Sequence, residues 1–264
     1  MTFEQYIDNP MGKSNAVFSQ REAAKAMYTE KYDRLILRES GRMYYQLFFD
    51  KSNDEYYAYI RVPSETVVGF YYDVVVKFLT SDNGLRTAAA LSFYDIQFFS
   101  NDPAFVYTYA NVFNRLGLFI PELKSKASKT AMKNDPVEKN AYGVPGYVKS
   151  IYFAYLFMKT HALFQKNTYR AIGTPYSSSK LKSLVMDTEQ KLQERQDVAK
   201  DQQLAKKRAK MEQKRAAEVE KEQEKKTPKN ITNAKSTKKT AAAKTTKASK
   251  SVGSSKKSNK VKYV

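Results

Sequence analysis

The large aromatic side chains of this chain are confined to its first two thirds, which limits where a hydrophobic core can form. Of its 35 Tyr and Phe residues, 33 lie within residues 1–169 of the 264-residue sequence. The last 38 residues, 227–264, contain 11 Lys and no Asp or Glu. Because folding must bury enough apolar surface to offset the entropy lost on ordering the chain, residues 1–169 are predicted to form a globular body. Residues 227–264 are predicted to be a disordered Lys-rich tail.

Positive charge, unlike the aromatic residues, is concentrated in the C-terminal part of the chain. The formal net charge is +19, yet residues 1–123 hold 12 Lys and Arg against 15 Asp and Glu, a net charge of −3. Residues 124–264 hold 34 basic residues against 12 acidic ones, a net charge of +22. The basic excess therefore predicts a polyanionic partner for the C-terminal region and not for the body.

Composition excludes several kinds of site. The absence of Cys excludes disulfides, Cys-ligated zinc, iron–sulfur clusters and a thiol nucleophile. The only histidine, His161, has no partner at metal-ligand spacing, and no Gly-rich loop matches a phosphate-binding fingerprint. The longest apolar run, residues 151–158, is far shorter than the roughly 18 to 20 residues that span a bilayer. We therefore predict a non-enzymatic protein without catalytic residues, metal, cofactor or membrane span.

The sequence of the body predicts an α+β fold. Alternating apolar residues predict four strands, at 43–49, 56–62, 70–79 and one ending at Phe99, joined by short turns as in an antiparallel meander. Two or three helices are predicted to pack on this sheet, with their starts or extents read from the capping-box spacing at Ser19, from Asp102-Pro103 and from the apolar segment 147–165.

The C-terminal region divides further. Residues 170–179, with Gly, Pro and three Ser, are predicted to be a linker between the body at 1–169 and a charged helix at 180–226. A coiled-coil heptad holds through Leu181, Val185, Thr188 and Leu192 but then meets polar residues, so the seam does not continue.

Lysines without nearby acids neutralise phosphates by releasing counterions, so the tail predicts nucleic-acid binding. The last arginine is Arg215, which leaves the tail without the guanidinium fork that reads guanine, and binding is therefore expected to be non-specific. An acidic protein or surface, or a purely solubilising role, are the alternatives. The cluster 206–210 fits a nuclear-localisation pattern but is more typical of a solvated helix face. The predicted nucleic-acid-binding residues are Lys229, Lys235, Lys238, Lys239, Lys244, Lys247, Lys250, Lys256, Lys257, Lys260 and Lys262.

Three features of the body have competing interpretations. The aromatic run 151–158 favours core packing, but it also predicts a homo-oligomer interface through Tyr152, Phe153, Tyr155 and Phe157. Asp73 and Asp95 fall mid-strand and, if the register paired them, could do acid–base chemistry, although a solvated sheet face is favoured. A second face rich in Tyr, with Tyr44, Tyr57, Tyr59 and Tyr71, could stack bases, although burial or a protein interface is favoured.

One pattern of packing residues resembles a known group of proteins. It runs from Phe98-Phe99-Ser100-Asn101-Asp102-Pro103 through Leu116-Gly117-Leu118-Phe119-Ile120-Pro121 to Ser150-Ile151-Tyr152-Phe153-Ala154. Over about residues 40–165 the chain resembles uncharacterised structural-region proteins of tailed bacteriophages. The resemblance implies a virion or assembly protein, in the virion or host cytoplasm, with other virion proteins as partners.

The tail resembles linker-histone tails in composition only. The alternative functions are an oligomerising interaction module with a solubilising tail, and a chromatin-associated DNA-binding protein of the nucleus.

Overall fold

The strands form where apolar side chains alternate, and a computed structural model shows how they pair. The structure describes residues 1–8, 15–80, 90–133, 146 and 148–226. The described strands are β1 (Tyr45–Asp50), β2 (Glu55–Pro63), β3 (Tyr71–Leu79), β4 (Asp95–Ser100) and β5 (Thr174–Pro175). The predicted turn at 81–84 lies outside the described residues, as do the tail and its eleven lysines.

The predicted α+β class is confirmed, but the sheet is larger and less regular than a four-stranded meander. It has five strands in the order β4-β3-β2-β1-β5. Strands β1 to β4 pair antiparallel with their neighbours, whereas β5 pairs parallel with β1 through Phe48–Thr174 and Phe49–Pro175. The sheet is therefore mixed, because the chain returns to its edge about 125 residues after β1.

The helices are also more numerous than the two or three predicted. Those in the described part of the chain are α1 (Phe3–Asp8), α2 (Asn15–Arg38), α3 (Pro103–Thr108), α4 (Ala110–Arg115), α5 (Lys129–Lys133), α6 (Lys149–Thr160), α7 (Lys166–Ile172), α8 (Ser178–Leu184) and α9 (Thr188–Lys226). Helix α2 begins at Asn15, four residues before the predicted cap at Ser19. Asp102 caps α3 as predicted, since its carboxylate accepts from the Ala104 N–H.

One face of the sheet holds the apolar set that the alternation predicted. Register places Ala58 opposite Leu47 on β1 and opposite Val76 on β3, and Val76 opposite Phe98 on β4. Helix α6 lies over this face and packs against α2 on its other side, which is why it is apolar nearly all round. Phe3 of α1 completes the layer, with its ring 4.9 Å from that of Phe98.

The opposite face is buried as well, and this revises the predicted linker at 170–179. These residues contain the end of α7, strand β5 and the start of α8, and Tyr176 stacks on Tyr57 with 4.2 Å between ring centroids. Gly173 makes this return possible because a Cβ there would collide with the backbone oxygen of Tyr169. The segment is thus part of the body.

The predicted single helix at 180–226 is two helices. α8 ends at Leu184, and α9 starts at Thr188 after a three-residue break. The chain divides into two compact units, Met1–Met211 and Glu212–Val264, so the first helical turns of α9 belong with the sheet.

Candidate nucleic-acid interface

The first part of α9, residues 188–202 (the docked half), is fastened to the body. The Thr188 hydroxyl donates to the backbone oxygen of Lys126 at 2.9 Å, and the Lys191 ammonium lies 4.7 Å from the centroid of the Phe70 ring. Further along, an Arg195 guanidinium N–H donates to Thr66 and the Gln202 amide donates to the Val68 backbone oxygen. The contacts to Thr66, Val68 and Phe70 hold one side of the helix on the loop between β2 and β3.

A buried carboxylate secures the chain just before α9. Asp73 is 2 % exposed, and its two oxygens accept from the Tyr59 hydroxyl at 2.8 Å, the Asn101 amide at 2.8 Å and the Met186 backbone N–H at 3.1 Å. The Asn101 amide also donates to the Met186 backbone oxygen. Because a buried carboxylate is tolerated only when its oxygens are hydrogen-bonded, this network joins the 185–187 break to β2 and β3.

Residues 203–219 of α9 (the exposed half) have every side chain exposed. Leu204, Met211 and Val219 are each more than half exposed, and nothing in the described chain covers them. A helix polar on nearly all sides gains no stability from packing, so good helix formers and spaced charge pairs must maintain it. Lys214 and Glu218 form one such pair, at 4.0 Å.

The basic residues between positions 200 and 217 of α9 cover just over half of the helix circumference. At 100° per residue, all seven of them fall within an arc of about 200°. The two acids of this span, Asp201 and Glu212, lie outside that arc. We call these residues the basic arc: Lys200, Lys206, Lys207, Arg208, Lys210, Lys214 and Arg215.

Most of the basic arc has no counter-charge. Lys200 lies 3.7 Å from Asp197, and Lys214 pairs with Glu218. Within the part of the chain that the structure describes, the other five arc residues form no ion pair. Exposed cations without partners present their full charge to an approaching polyanion.

Several charged side chains of the body, unlike most of those in the basic arc, pair with other residues of the body. The Lys77 ammonium is buried and lies 3.0 Å from a carboxylate oxygen of Glu55 and 3.0 Å from one of Glu122. The Tyr57 hydroxyl donates to Glu55 at 2.6 Å, and burial together with this bond raises the pKa of Tyr57. Glu122 Oε2 and Gln97 Oε1 have no hydrogen-bond partner in the described structure. The single ammonium of this cluster faces two carboxylates, so Lys77 is not available to an external polyanion.

A second internal pair closes the β1–β2 turn. The Asp54 carboxylate accepts from the hydroxyls of Tyr56 and Tyr94 and lies 3.1 Å from the Lys166 ammonium. Burial opposes ionisation of Asp54, but the hydrogen bonds from Tyr94, Lys166 and Tyr56 outweigh it and lower its pKa. Lys166 also lies 4.6 Å from the centroid of the Tyr94 ring, a cation–π contact that fastens α7 to the sheet.

The four residues predicted as an oligomer interface are not on the surface. Tyr152, Phe153, Tyr155 and Phe157 are at most 7 % exposed, because α6 lies between the sheet and α2. Their burial favours the core-packing alternative, so we do not retain them as an interface.

The remaining sequence hypotheses are also decided by burial or register. Asp73 lies opposite Arg61 and Asp95 opposite Leu79, at the two ends of β3, so these carboxylates cannot act as a pair. Tyr57 and Tyr59 are fully buried and offer no stacking surface. His161 places its Nδ1 2.9 Å from the backbone oxygen of Phe157. In the described ranges no group of three metal-ligating side chains occurs.

The sequence predicted only the basic cluster at 206–210 and not the wider basic arc. The arc depends on which part of α9 is exposed, and the structure supplies that information. Comparison with protein-family models, with curated proteins and with solved structures finds no significant match for this chain. No helix among the described residues has the length and apolar character needed to cross a membrane.

Proposed function

We propose that this chain is a non-enzymatic structural or assembly protein whose basic C-terminal region binds nucleic acid without sequence specificity. The body would act as the folded building unit, and the region after it would contact the nucleic-acid backbone. The single observation that carries the proposal is the segregation of charge between these two parts of one chain.

The contacts of individual residues support this division. Body cations such as Lys77 and Lys166 are buried against carboxylates and are unavailable to phosphates. Basic side chains of the exposed half of α9 are solvated, and the 38 residues beyond the helix add 11 Lys and no acid. Such a region binds polyanions by releasing counterions, a mechanism that needs charge but no particular base sequence.

The resemblance to phage structural-region proteins supports the assembly part of the proposal. A virion protein with a basic extension would place that extension against packaged genome and its body against other virion proteins. Recovery of the protein from purified particles of a phage carrying its gene, by mass spectrometry, would support this role; its absence from complete particles would refute a virion location.

Removal of residues 227–264 tests nucleic-acid binding directly. The truncated chain, residues 1–226, should no longer be retained on a DNA column at about 0.15 M salt, since 11 lysines correspond to a log–log salt slope of about −10. Its circular dichroism and melting temperature should match those of the full chain. Equal retention of both chains would refute the proposal.

A second candidate is a homo-oligomer formed through α9. The side of the helix that docks on the body continues past residue 202 at alternating spacings of three and four residues, as a coiled-coil seam does. Its exposed positions are Ala205, Ala209, Glu212, Ala216 and Val219, of which only Glu212 is charged. Mass measurement of the full chain and of residues 1–211 distinguishes the candidates, because an α9 oligomer becomes monomeric in the shorter chain.

A further inference from the structure

We propose that the exposed half of α9 binds duplex DNA by lying in the major groove, with its basic arc against the phosphates of both strands. This inference rests on the proposed function and adds a helical element to the same binding region. If only the tail lysines bound DNA, the helix would merely connect the tail to the body. In this proposal the helix itself contacts the DNA.

The first argument is the availability of the charge. Lys206, Lys207 and Lys210 are exposed and have no ion-pair partner in the described structure. The nearest acids on the arc's own side of the helix, Asp197 and Glu218, lie beyond its two ends, where they pair with Lys200 and Lys214. A helix made only for solubility would have acids and bases interspersed around its circumference, as i, i+4 pairing favours.

The second argument is the width and length of the arc. From Lys206 to Arg215, the part of the arc that lies in the exposed half, the helix rises about 13 Å, and over that distance a DNA duplex carries about 8 phosphate charges. A helix resting on one strand would use only a narrow stripe of its surface. A basic arc of about 200° instead suits a groove, where phosphates lie on both sides of the helix.

The third argument is the size of the groove. An α-helix with its side chains is about 10–12 Å across, and the major groove of B-DNA is about 12 Å wide. The corresponding groove of A-form RNA is too deep and narrow for side chains to read. Duplex DNA is therefore the nucleic acid that this surface fits.

The helix also differs from the tail in the chemistry that it can offer. Arg208 and Arg215 lie in the arc, whereas no arginine follows Arg215. A guanidinium can bond guanine with two parallel hydrogen bonds, which an ammonium cannot. Any preference for G·C pairs would therefore come from α9. Because this segment is already helical in the unbound chain, binding requires no ordering of its backbone.

Charge neutralisation in the full-length protein tests the inference. The arc variant carries four changes: Lys206→Gln, Lys207→Gln, Lys210→Gln and Lys214→Gln. Its matched control removes the same charge from exposed lysines of the body: Lys124→Gln, Lys129→Gln, Lys133→Gln and Lys159→Gln. Glutamine is nearly as good a helix former as lysine, so α9 should stay helical in circular dichroism.

Binding to a duplex of about 20 base pairs is then measured by fluorescence anisotropy at several salt concentrations. If all four arc lysines contact phosphates, the salt slope should become shallower by about 3 to 4 units. The body control should change the slope by less than one unit. An equal change in both variants would overturn the inference, because only total charge would then matter.

Two further measurements distinguish the ways in which the inference could fail. Binding to duplex RNA should be affected much less by the arc changes, and an equal loss on RNA would overturn the groove placement. The 1–226 chain serves as the test of the tail. If tail removal weakens binding but the arc variant does not, this inference fails while the proposed function stands. If neither change weakens binding, both the inference and the proposed function are contradicted.

Discussion

The two halves of α9 are continuous helix, yet they experience opposite surroundings. In the docked half, Thr188 is fully buried, Lys191 lies on an aromatic ring, and Gln202 bonds to a loop of the sheet. In the exposed half, every side chain from residue 203 to 219 faces solvent. Helix propensity is similar throughout, so propensity does not distinguish a segment that belongs to the core from one that does not.

The docked half shows that a charged, Lys-rich sequence can be a structural part of a domain. Lys191 is only 7 % exposed, and its ammonium lies 4.7 Å from the centroid of the Phe70 ring and 2.8 Å from a carboxylate oxygen of Glu194. The exposed half carries the same residue types, but of its basic residues only Lys214 forms an ion pair in the described structure. The boundary between structure and function therefore falls inside one helix.

The largest expected effect comes from cutting the chain on either side of this boundary. Truncation after residue 176 removes Leu181, Val185 and Thr188, which are buried, together with the Leu184 and Met186 backbone groups that bond to Tyr59 and Asp73. Each lost aliphatic side chain corresponds to about 1.5–3 kcal/mol of burial, against a total stability of about 5–15 kcal/mol. We expect no cooperative unfolding for this fragment.

Truncation after residue 211 should leave the melting temperature within about 4 °C of that of the full chain. Similar melting of both fragments would contradict the division of α9 into a docked half and an exposed half.

A smaller effect is expected from Asp73→Ala. The change removes the acceptor of one Asn101 amide N–H and of the Met186 backbone N–H, and leaves the Tyr59 hydroxyl only the Leu184 backbone oxygen at 3.2 Å. It should lower the free energy of unfolding by about 3 kcal/mol. Its control in the exposed half, Glu212→Ala, should change it by less than about 0.5 kcal/mol. Urea denaturation measures both, and equal losses would show that the exposed half is also packed.

We expect the body to be the source of the loss of stability at acid pH. The native pKa of Asp54 is below its ordinary value of 3.8, so its contribution to stability is full above 3.8 and is lost as the pH falls through the lower native value. Asp54→Asn should therefore destabilise the protein near neutral pH and flatten the acid side of its stability profile. Urea unfolding at about pH 6 and about pH 2.5 tests this, and an unchanged difference between the two pH values would contradict it.

The smallest effect is expected for Ala209→Gly in the exposed half. Glycine costs about 1 kcal/mol of helix stability relative to alanine, but only locally. Helical ellipticity should fall slightly, whereas the melting temperature followed by tyrosine signals of the body should not move. A shift of that melting temperature would show coupling between the halves.

Much of the sheet was accessible from alternation alone. The apolar sets of β2 and β3 were placed on the correct face, and Asp102 was identified as the cap of α3, because both depend on neighbours in sequence. The start of α2 was misplaced since capping-box spacing at Ser19 also occurs inside a helix. Strand β5 was missed because two residues, Thr174 and Pro175, carry no periodicity.

The candidate interface was accessible only in part. Tail lysines are evident from composition, although they lie outside the described residues. The basic arc depends on knowing where α9 leaves the body, and that depends on contacts with Thr66 and Val68 about 130 residues earlier. The aromatic residues of α6 were ambiguous because interfaces and cores use the same side chains.

Local order and the distribution of charge were determined by the sequence itself: four strands, the cap at Asp102, a long charged helix and a basic C-terminal region follow from residue spacing and side-chain type. Tertiary structure alone decided that both sheet faces are covered, that residues 170–187 complete the body, and that α9 is docked for half its length. These outcomes rest on burial between residues far apart in the chain, such as Tyr57 with Tyr176 and Asp73 with Met186. Local periodicity cannot specify such partners, because packing selects them only when the whole chain is assembled.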